Sequence, residues 1–332
     1  MSECVSDGTQ IALYADDTKT WRNIVSWSDH EILQLDIDAL HSWAELNKMK
    51  FHPKKCKVLS VSNRAADNSV WSIWLPFQTF VYTLNGIDLD FVQSEKDLGV
   101  FVTSNLSWEE NILALCTKAR SRLGLMKRTL WFIKDEKQKR AFYLSLVRSL
   151  FENCSIVWRP TTCLMNDKVE SVQRKAVKWI LGEQDHHYND FEYQSRLKSL
   201  ELMPMESKFL FTDLIIFHNI YYDQSVIKLP QYLTPLTDDD RNRLRPNIRP
   251  PVRLGAEAPG LPDMNQRRIN RHDSLSLKCT IEANDHSFKN SFFFRTFSEW
   301  NDLPTELKGD TDPGVFRTNL KKHLWDLMID PD

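Results

Sequence analysis

The amino-acid sequence predicts an α+β fold in which short strands come first and helices follow. Before residue 108, short apolar runs alternate with turn residues, a pattern typical of strands joined by hairpins. After residue 108, apolar residues recur every three or four positions over long segments, a pattern typical of amphipathic helices. With 332 residues, of which 42% are hydrophobic, the chain is long enough for one large domain or two ordinary ones.

The first predicted element is a β-hairpin near the start of the chain. Residues 10–14 form a short apolar run and residues 18–24 a return strand. Asp16 and Asp17 lie between these two segments, so we expect them at the tip of the hairpin.

A helix and further strands are predicted after the hairpin. The sequence Ser-Asp-His-Glu at 28–31 is a capping-box pattern that predicts a helix start, and apolar spacing carries the helix to about Met49. Alternation, β-branching and the turn dipeptide Asn85-Gly86 predict short strands in this order: 57–62, 79–84, 87–92 and 98–103. The polar residues 63–69 predict a turn.

Each helix predicted after residue 108 starts at a capping residue. Ser107 and Glu110 form a second capping box, which opens a helix that runs to about Ile133. Asp135 is the predicted cap of the next helix, which continues through Phe151.

A fourth helix is predicted to begin at Asn166 or Asp167 and to stop at Gly182. The segment 236–287 is rich in Pro, Arg and Asp, which predicts an extended linker, and aromatic and helical patterning returns after it. The sequence therefore predicts four parts, two of which are mainly helical: 1–108, 109–235, 236–287 and 288–332.

Composition argues against several kinds of site. The chain has only 9 glycines and contains no glycine-rich phosphate-binding motif. The 6 cysteines are scattered without a zinc-binding spacing, which favours reduced thiols. No signal-peptide pattern and no apolar run of membrane-spanning length are present, so we expect an intracellular protein, nuclear or cytoplasmic, rather than a secreted one.

The adjacent Asp16 and Asp17 need a physical explanation. Two carboxylates held close together repel each other unless a cation neutralises them. Mg²⁺ prefers oxygen ligands and commonly uses one or two carboxylates together with substrate phosphates. The alternative is a solvated turn, since aspartate is common in turns.

Basic residues are concentrated between 109 and 182, although the whole chain has a formal net charge of −2. Such a block is either a footprint for nucleic-acid phosphates or a set of solvated helix faces. The candidate phosphate contacts are Lys118, Arg120, Arg122, Lys127, Arg128, Lys137, Lys139 and Arg140.

Aromatic residues near this block have two interpretations. Trp131 and Phe132 could stack on bases, but their place at a helix end favours burial in the core. Trp158, Trp179 and Trp300 are also predicted to be core residues. The cluster Asp185-His186-His187 lacks a second ligand pair and predicts a loop rather than a metal site.

The stretch IALYADDTK resembles the Tyr-x-Asp-Asp signature of reverse transcriptases, more specifically that of LINE-type (non-LTR, jockey-like) retrotransposon polymerases. Further blocks resemble the same family in the same order: LQLDIDALHSWAELNKMKFHPKKCKVLSVS, YTLNGIDLDFVQSEKDLGVFVTSNLSW, LFENCSIVWRP, VESVQRKAVKWILG and FSEWNDLPTEL. The resemblance covers nearly the whole chain.

The resemblance implies a partial polymerase palm, with a short antiparallel sheet and a helix, followed by a thumb or connection and a C-terminal region. It implies that Asp16 and Asp17 bind Mg²⁺ and that Tyr14 lies beside the primer terminus or the incoming nucleotide. It also implies that Lys55 is a general acid for pyrophosphate, although a solvated lysine in a basic loop is an equal alternative. The implied partners are an RNA template and a DNA primer, held by the basic thumb helices.

The sequence departs from this family in one important respect. The family's palm needs another aspartate on an upstream strand, and fingers that hold the triphosphate, whereas only thirteen residues precede Tyr14. A smaller departure is His52, where the family's loop usually has Asn. We therefore expect a C-terminal fragment with little activity alone, unless a partner chain supplies the missing strands. Two alternatives remain open, a non-catalytic nucleic-acid-binding module that uses the helices in 109–182 and an inert remnant.

Overall fold

The computed structural model describes residues 2–61, 80–182, 190–237, 273, 275–281 and 286–329. Over these residues the protein is α+β, as predicted, and it divides between Ser107 and Trp108 into two compact units. The division lies one residue before the end of the predicted first part, which was residue 108. The predicted turn at 63–69 and the Asp185-His186-His187 cluster lie outside the described residues.

The described part of the first unit contains one long helix, a set of short strands and two 3₁₀ turns at Ser2–Cys4 and Pro53–Lys55. In chain order the regular elements are β1 (Thr9–Tyr14), β2 (Asp17–Arg22), α1 (Trp27–Leu46), β3 (Lys57–Leu59), β4 (Thr83–Leu84), β5 (Ile87–Asp88), β6 (Asp90–Val92), β7 (Ser94–Asp97) and β8 (Val100–Thr103).

The described strands of this unit pair two by two. β1 and β2, β4 and β5, and β7 and β8 form antiparallel hairpins, whereas β3 pairs with β6 in parallel. The predicted hairpin around Asn85-Gly86 is confirmed, with shorter strands than expected. A small core of Tyr82, Leu84 and Leu89 packs with apolar residues of α1 and β3.

Helix α1 begins two residues earlier than predicted. Its N-cap is Ser26 rather than Ser28, and Asp29 is the N3 residue of the capping box. The Asp29 carboxylate accepts hydrogen bonds from the backbone N–H of Val25 and Ser26 at 3.1 and 2.9 Å. Asp29 can satisfy these N–H groups only if the cap lies three residues before it, which explains the shift.

The described part of the second unit is mainly helical. Its elements are α2 (Glu109–Thr129), α3 (Glu136–Tyr143), a π-helical turn (Leu144–Arg148), α4 (Ser149–Glu152), α5 (Ser155–Trp158), α6 (Cys163–Leu181), α7 (Asp190–Ser199), α8 (Met205–Tyr221), β9 (Leu233–Pro235), β10 (Leu277–Cys279), α9 (His286–Lys289), α10 (Phe292–Asn301), α11 (Thr305–Lys308) and α12 (Pro313–Ile329).

Two of the predicted helix boundaries in this unit are confirmed. The Asp135 side chain accepts a hydrogen bond from the Lys137 N–H at 2.7 Å and caps α3. Gly182 ends α6 with φ of 72°, a left-handed conformation that glycine adopts without strain.

Other predicted boundaries are wrong. The N-cap of α2 is Trp108 rather than Ser107, without a side-chain hydrogen bond, and the helix ends at Thr129 rather than near Ile133. The N-cap of α6 is Thr162, whose side chain accepts from the backbone N–H of residue 165. The predicted caps, Asn166 and Asp167, therefore lie inside α6.

The C-terminal segment 288–332 is not a separate part. Phe316, Leu320 and Trp300 are buried in one hydrophobic cluster with Leu214 and Phe217 of α8. The apolar faces of α10 and α12 need a partner, and α8 provides it within the same unit.

The predicted linker 236–287 also differs from the structure where it is described. Residues 277–279 form β10, which pairs antiparallel with β9, and Leu277 is 2% exposed. Apolar Leu277 alternates with half-buried Lys278, so this short piece fits a strand packed on the core. The rest of the predicted linker lies mostly outside the described residues.

No helix among the described residues is both long and apolar enough to cross a membrane.

Candidate functional site

The Tyr-Ala-Asp-Asp stretch forms the tip of the first hairpin, as predicted. Tyr14 is the last residue of β1 and pairs directly with Asp17, the first residue of β2. Ala15 and Asp16 form the two-residue turn, and Ala15 has a positive φ of 53°. The hairpin therefore presents two neighbouring carboxylates and one phenol at a single point.

One face of this hairpin is exposed. Side chains that are directly opposite in an antiparallel pair lie on the same face, so Tyr14 and Asp17 share a face. The same face carries the pairs of Ala12 with Lys19 and of residue 10 with residue 21, and all of these residues are exposed. Tyr14 itself is 67% exposed.

The opposite face of the hairpin is held by helix α1. Asp36 of α1 is 2% exposed, and its carboxylate accepts hydrogen bonds from the Ser6 N–H and hydroxyl, each at 2.8 Å. It also accepts one from the buried Thr9 hydroxyl at 2.5 Å. Arg22, the last residue of β2, forms an ion pair with Asp29 of α1 at 3.2 Å. Buried polar contacts therefore fix the base of the hairpin while its tip stays exposed.

The exposed face also connects to the β7–β8 hairpin. Lys19 forms an ion pair with Asp97, which belongs to the Lys-Asp-Leu-Gly-Val block. Leu98 and Gly99 form the two-residue turn of that hairpin, with φ of 47° and 92°. Two sequence blocks that carry the resemblance are thus in contact within the first unit.

Lys55 lies on a different element from the aspartates. It ends the 3₁₀ turn Pro53–Lys55, its N–H donates to the His52 carbonyl at 2.8 Å, and its side chain is exposed. The structure thus places Tyr14, Asp16 and Asp17 on one hairpin and Lys55 on a separate turn of the same unit.

The aspartate pair provides two carboxylates for a cation. Among the described residues, no three His, Cys, Asp or Glu side chains come together in a group that could hold a metal ion. Two exposed carboxylates suit one Mg²⁺ that keeps water and phosphate ligands. They do not by themselves suit a two-metal site, which needs further ligands.

The comparisons with known proteins identify no relative. The chain matches no protein-family model, and no curated protein or solved structure is significantly similar to it.

Some of the predicted phosphate-binding residues are hydrogen-bonded within the second unit, and others are exposed. Lys139 is 8% exposed, and its ammonium donates to the carbonyls of Trp179 and Ile180 at 3.1 and 3.2 Å. Arg140 donates to the carbonyls of Leu200 and residue 201. Lys139 and Arg140 therefore brace the ends of other helices.

Two further arginines of this group also have partners within the unit. Arg120 donates to the Ser171 hydroxyl at 3.1 Å, and Arg122 donates to the Leu146 carbonyl at 2.9 Å. The exposed members of the predicted set, which include Arg120 despite its bond to Ser171, are Lys118, Arg120, Lys127, Arg128 and Lys137.

The expectation that Trp131 and Phe132 belong to the core is wrong. Trp131 is 71% exposed and Phe132 is 61% exposed. Because α2 ends at Thr129, both residues lie in the loop after the helix and leave its buried face. Trp158 and Trp300 are fully buried, as predicted, whereas Trp179 is only partly buried.

The sequence interpretation did not include three lysines that lie near Trp131. Lys134, Lys175 and Lys178 line a cleft together with Lys127 and Lys139. Lys175 and Lys178 are three residues apart, which places them on one face of α6. This spacing could have indicated the basic cleft from the sequence.

Proposed function

We propose that this chain carries part of a reverse-transcriptase-type palm, in which the hairpin of Tyr14, Asp16 and Asp17 binds Mg²⁺ for nucleotidyl transfer. The observation that carries the proposal is the position of Asp16 in a two-residue turn, with Asp17 paired to Tyr14 on an exposed face. A carboxylate pair at the tip of a braced hairpin can reach a phosphate-bound cation without rearrangement of the fold.

The polar anchoring of the hairpin supports this role. Asp36 and Asp29 hold the base through hydrogen bonds and an ion pair, so the tip is presented by a fixed support. A site that binds a metal must hold its ligands in a narrow range of positions. The contact between Lys19 and Asp97 adds support, because it connects two blocks that resemble the same polymerase family.

The chemistry of the pair limits the activity that we propose. Mg²⁺ bound with a nucleoside triphosphate would neutralise phosphate charge, and Asp16 and Asp17 would hold it on the hairpin. A complete two-metal site requires a further carboxylate beyond this pair. Loss of one ligand of such a site removes several kcal/mol of transition-state stabilisation, which is a rate loss of about 1,000-fold or more. We therefore expect primer extension on an RNA template by this chain alone to be very slow.

Manganese binding tests the proposed site directly. Mn²⁺ with a deoxynucleoside triphosphate should broaden the amide NMR signals at residues 14–17 of the full chain, because Mn²⁺ is paramagnetic. The double variant Asp16→Asn and Asp17→Asn should abolish this broadening. Asp88→Asn is the matched control, since Asp88 is an exposed carboxylate on another hairpin of the same unit.

Two results would overturn the assignment. One is broadening at residues 14–17 that survives in the double variant. The other is measurable primer extension by the chain that is unchanged by Asp16→Asn.

A further inference from the structure

The second unit contains an open cleft of about 410 Å³ near the end of α6. Its walls are formed by the last turn of α2, the loop that follows it, the first turn of α3 and the last two turns of α6. Its lining includes five lysines and one tryptophan: Lys127, Trp131, Lys134, Lys139, Lys175 and Lys178. We call this site the lysine cleft.

The walls of the lysine cleft are held by local hydrogen bonds. The Lys139 ammonium joins α3 to the last carbonyls of α6 and lies 5.8 Å from the centre of the Trp179 ring. Lys134 donates to the Trp131 carbonyl at 3.2 Å, and the Ile133 N–H donates to the Leu130 carbonyl at 3.1 Å. The loop that carries Trp131 is thus tied into a compact turn.

The described residues that line the lysine cleft carry charge of one sign. Five lysines line it, and no aspartate or glutamate is among the described residues that do so. Among the described residues, the hydrogen-bond partners of the Lys139 ammonium are the two neutral α6 carbonyls. Clustered like charges repel, so such a cleft favours an anionic ligand with several charges.

The exposed indole of Trp131 also restricts which ligands fit the lysine cleft. Trp131 contributes to the wall while 71% of it remains exposed. Indole faces are platforms on which bases stack, irrespective of sequence. An acidic peptide would use the lysines but would leave the tryptophan without a matching group.

We propose that the lysine cleft binds single-stranded nucleic acid, with phosphates on the lysines and one unpaired base on Trp131. The bases of a duplex are stacked on each other and their faces are covered, so a duplex cannot use Trp131 in this way. The cleft volume lies within the range of small-ligand sites. The proposal does not depend on the hairpin of the first unit or on any metal.

Oligonucleotide binding to the full chain tests this proposal. Fluorescence anisotropy should show that an oligothymidylate of about 12 nucleotides binds roughly 10-fold more tightly than an abasic strand of equal charge. Trp131→Leu should remove that difference, whereas Trp131→Phe should keep most of it because the aromatic face remains. The high exposure of Trp131 means that neither variant removes a buried contact.

The lysines are tested by salt dependence. For a single strand, each phosphate contact contributes about 0.7 to the slope of log affinity against log salt concentration. The double variant Lys134→Ala and Lys175→Ala should therefore lower the slope by about 1.4. The matched control is the double variant Lys198→Ala and Lys322→Ala, which removes two exposed lysines of the same unit outside the cleft and should leave the slope nearly unchanged.

Three outcomes would overturn the proposal. The first is equal affinity of the intact chain for the oligothymidylate and the abasic strand. The second is equal or tighter binding of a blunt DNA duplex of the same length. The third is an equal change in salt slope for the cleft variant and its control. None of these measurements needs a divalent cation, so they are independent of the manganese experiment on the hairpin.

Discussion

Replacing Asp36 by alanine should loosen the first hairpin while the rest of the protein stays folded. The Asp36 carboxylate accepts three hydrogen bonds, two from Ser6 and one from Thr9, and it is almost fully buried. Hydrogen bonds to a charged group contribute about 1.5–3 kcal/mol each, and the partial exposure of Ser6 reduces its share. We expect a total loss of about 3 kcal/mol for the opening of the hairpin.

Hydrogen exchange measures this loss locally. A destabilisation of about 3 kcal/mol corresponds to a fall of roughly 100-fold in the protection of the amides in β1 and β2. Asp38→Ala is the matched control, because Asp38 is an exposed carboxylate on α1 that bonds to Gln34. The reasoning fails if both variants change the protection equally, or if Asp36→Ala leaves it unchanged.

Three other predictions concern stability. Leu98→Asn should stabilise the first unit by about 0.5–1 kcal/mol in urea unfolding. Leu98 is half-exposed and has a φ of 47°, a conformation that asparagine adopts more easily than leucine in a two-residue turn before glycine. A loss of stability would refute this. The pKa of Asp29 is lowered to about 2, mainly by hydrogen bonds from Ser26, so its stabilising effect is present above about pH 4 and is lost as the pH falls towards 2. Asp29→Asn should flatten thermal stability over that pH window, and an unchanged pH profile would contradict the prediction. Lys139→Met should destabilise the second unit by about 2–3 kcal/mol in thermal unfolding, because two α6 carbonyls lose their hydrogen-bond donor. Lys137→Met is the control, since Lys137 is exposed on α3, and it should have little effect.

The elements that the sequence predicts well depend on local signals. The hairpin of Asp16 and Asp17 is readable because a short apolar strand, a turn and a return strand lie within fifteen residues. The Gly182 helix end and the Asp135 cap are equally local. The N-cap of α1 was predicted two residues too late because Ser26 and Ser28 both fit a capping pattern. Only the contacts of Asp29 show that Ser26 is the cap.

The features that the sequence interpretation missed depend on distant partners. Lys139 belongs to a basic block, but its ammonium is bound by carbonyls about 40 residues away, which periodicity does not reveal. β10 lies in a segment with linker composition and becomes a strand through pairing with β9. Trp131 was assigned to the core because the prediction extended α2 four residues too far. The helix ends at Thr129, so the Trp131 ring lies beyond its buried face and is exposed.

The pairing of β9 with β10 has a consequence for how this protein tolerates changes in length. Leu236 donates its N–H to the Ser276 carbonyl at 3.0 Å, so two points of the chain that are forty residues apart in the sequence are held next to each other. The entropic cost of bringing two such points together rises only slowly with the number of residues between them, by about 0.6 kcal/mol for each doubling. Halving or doubling that number would therefore change the cost of pairing β9 with β10 by only about 0.6 kcal/mol.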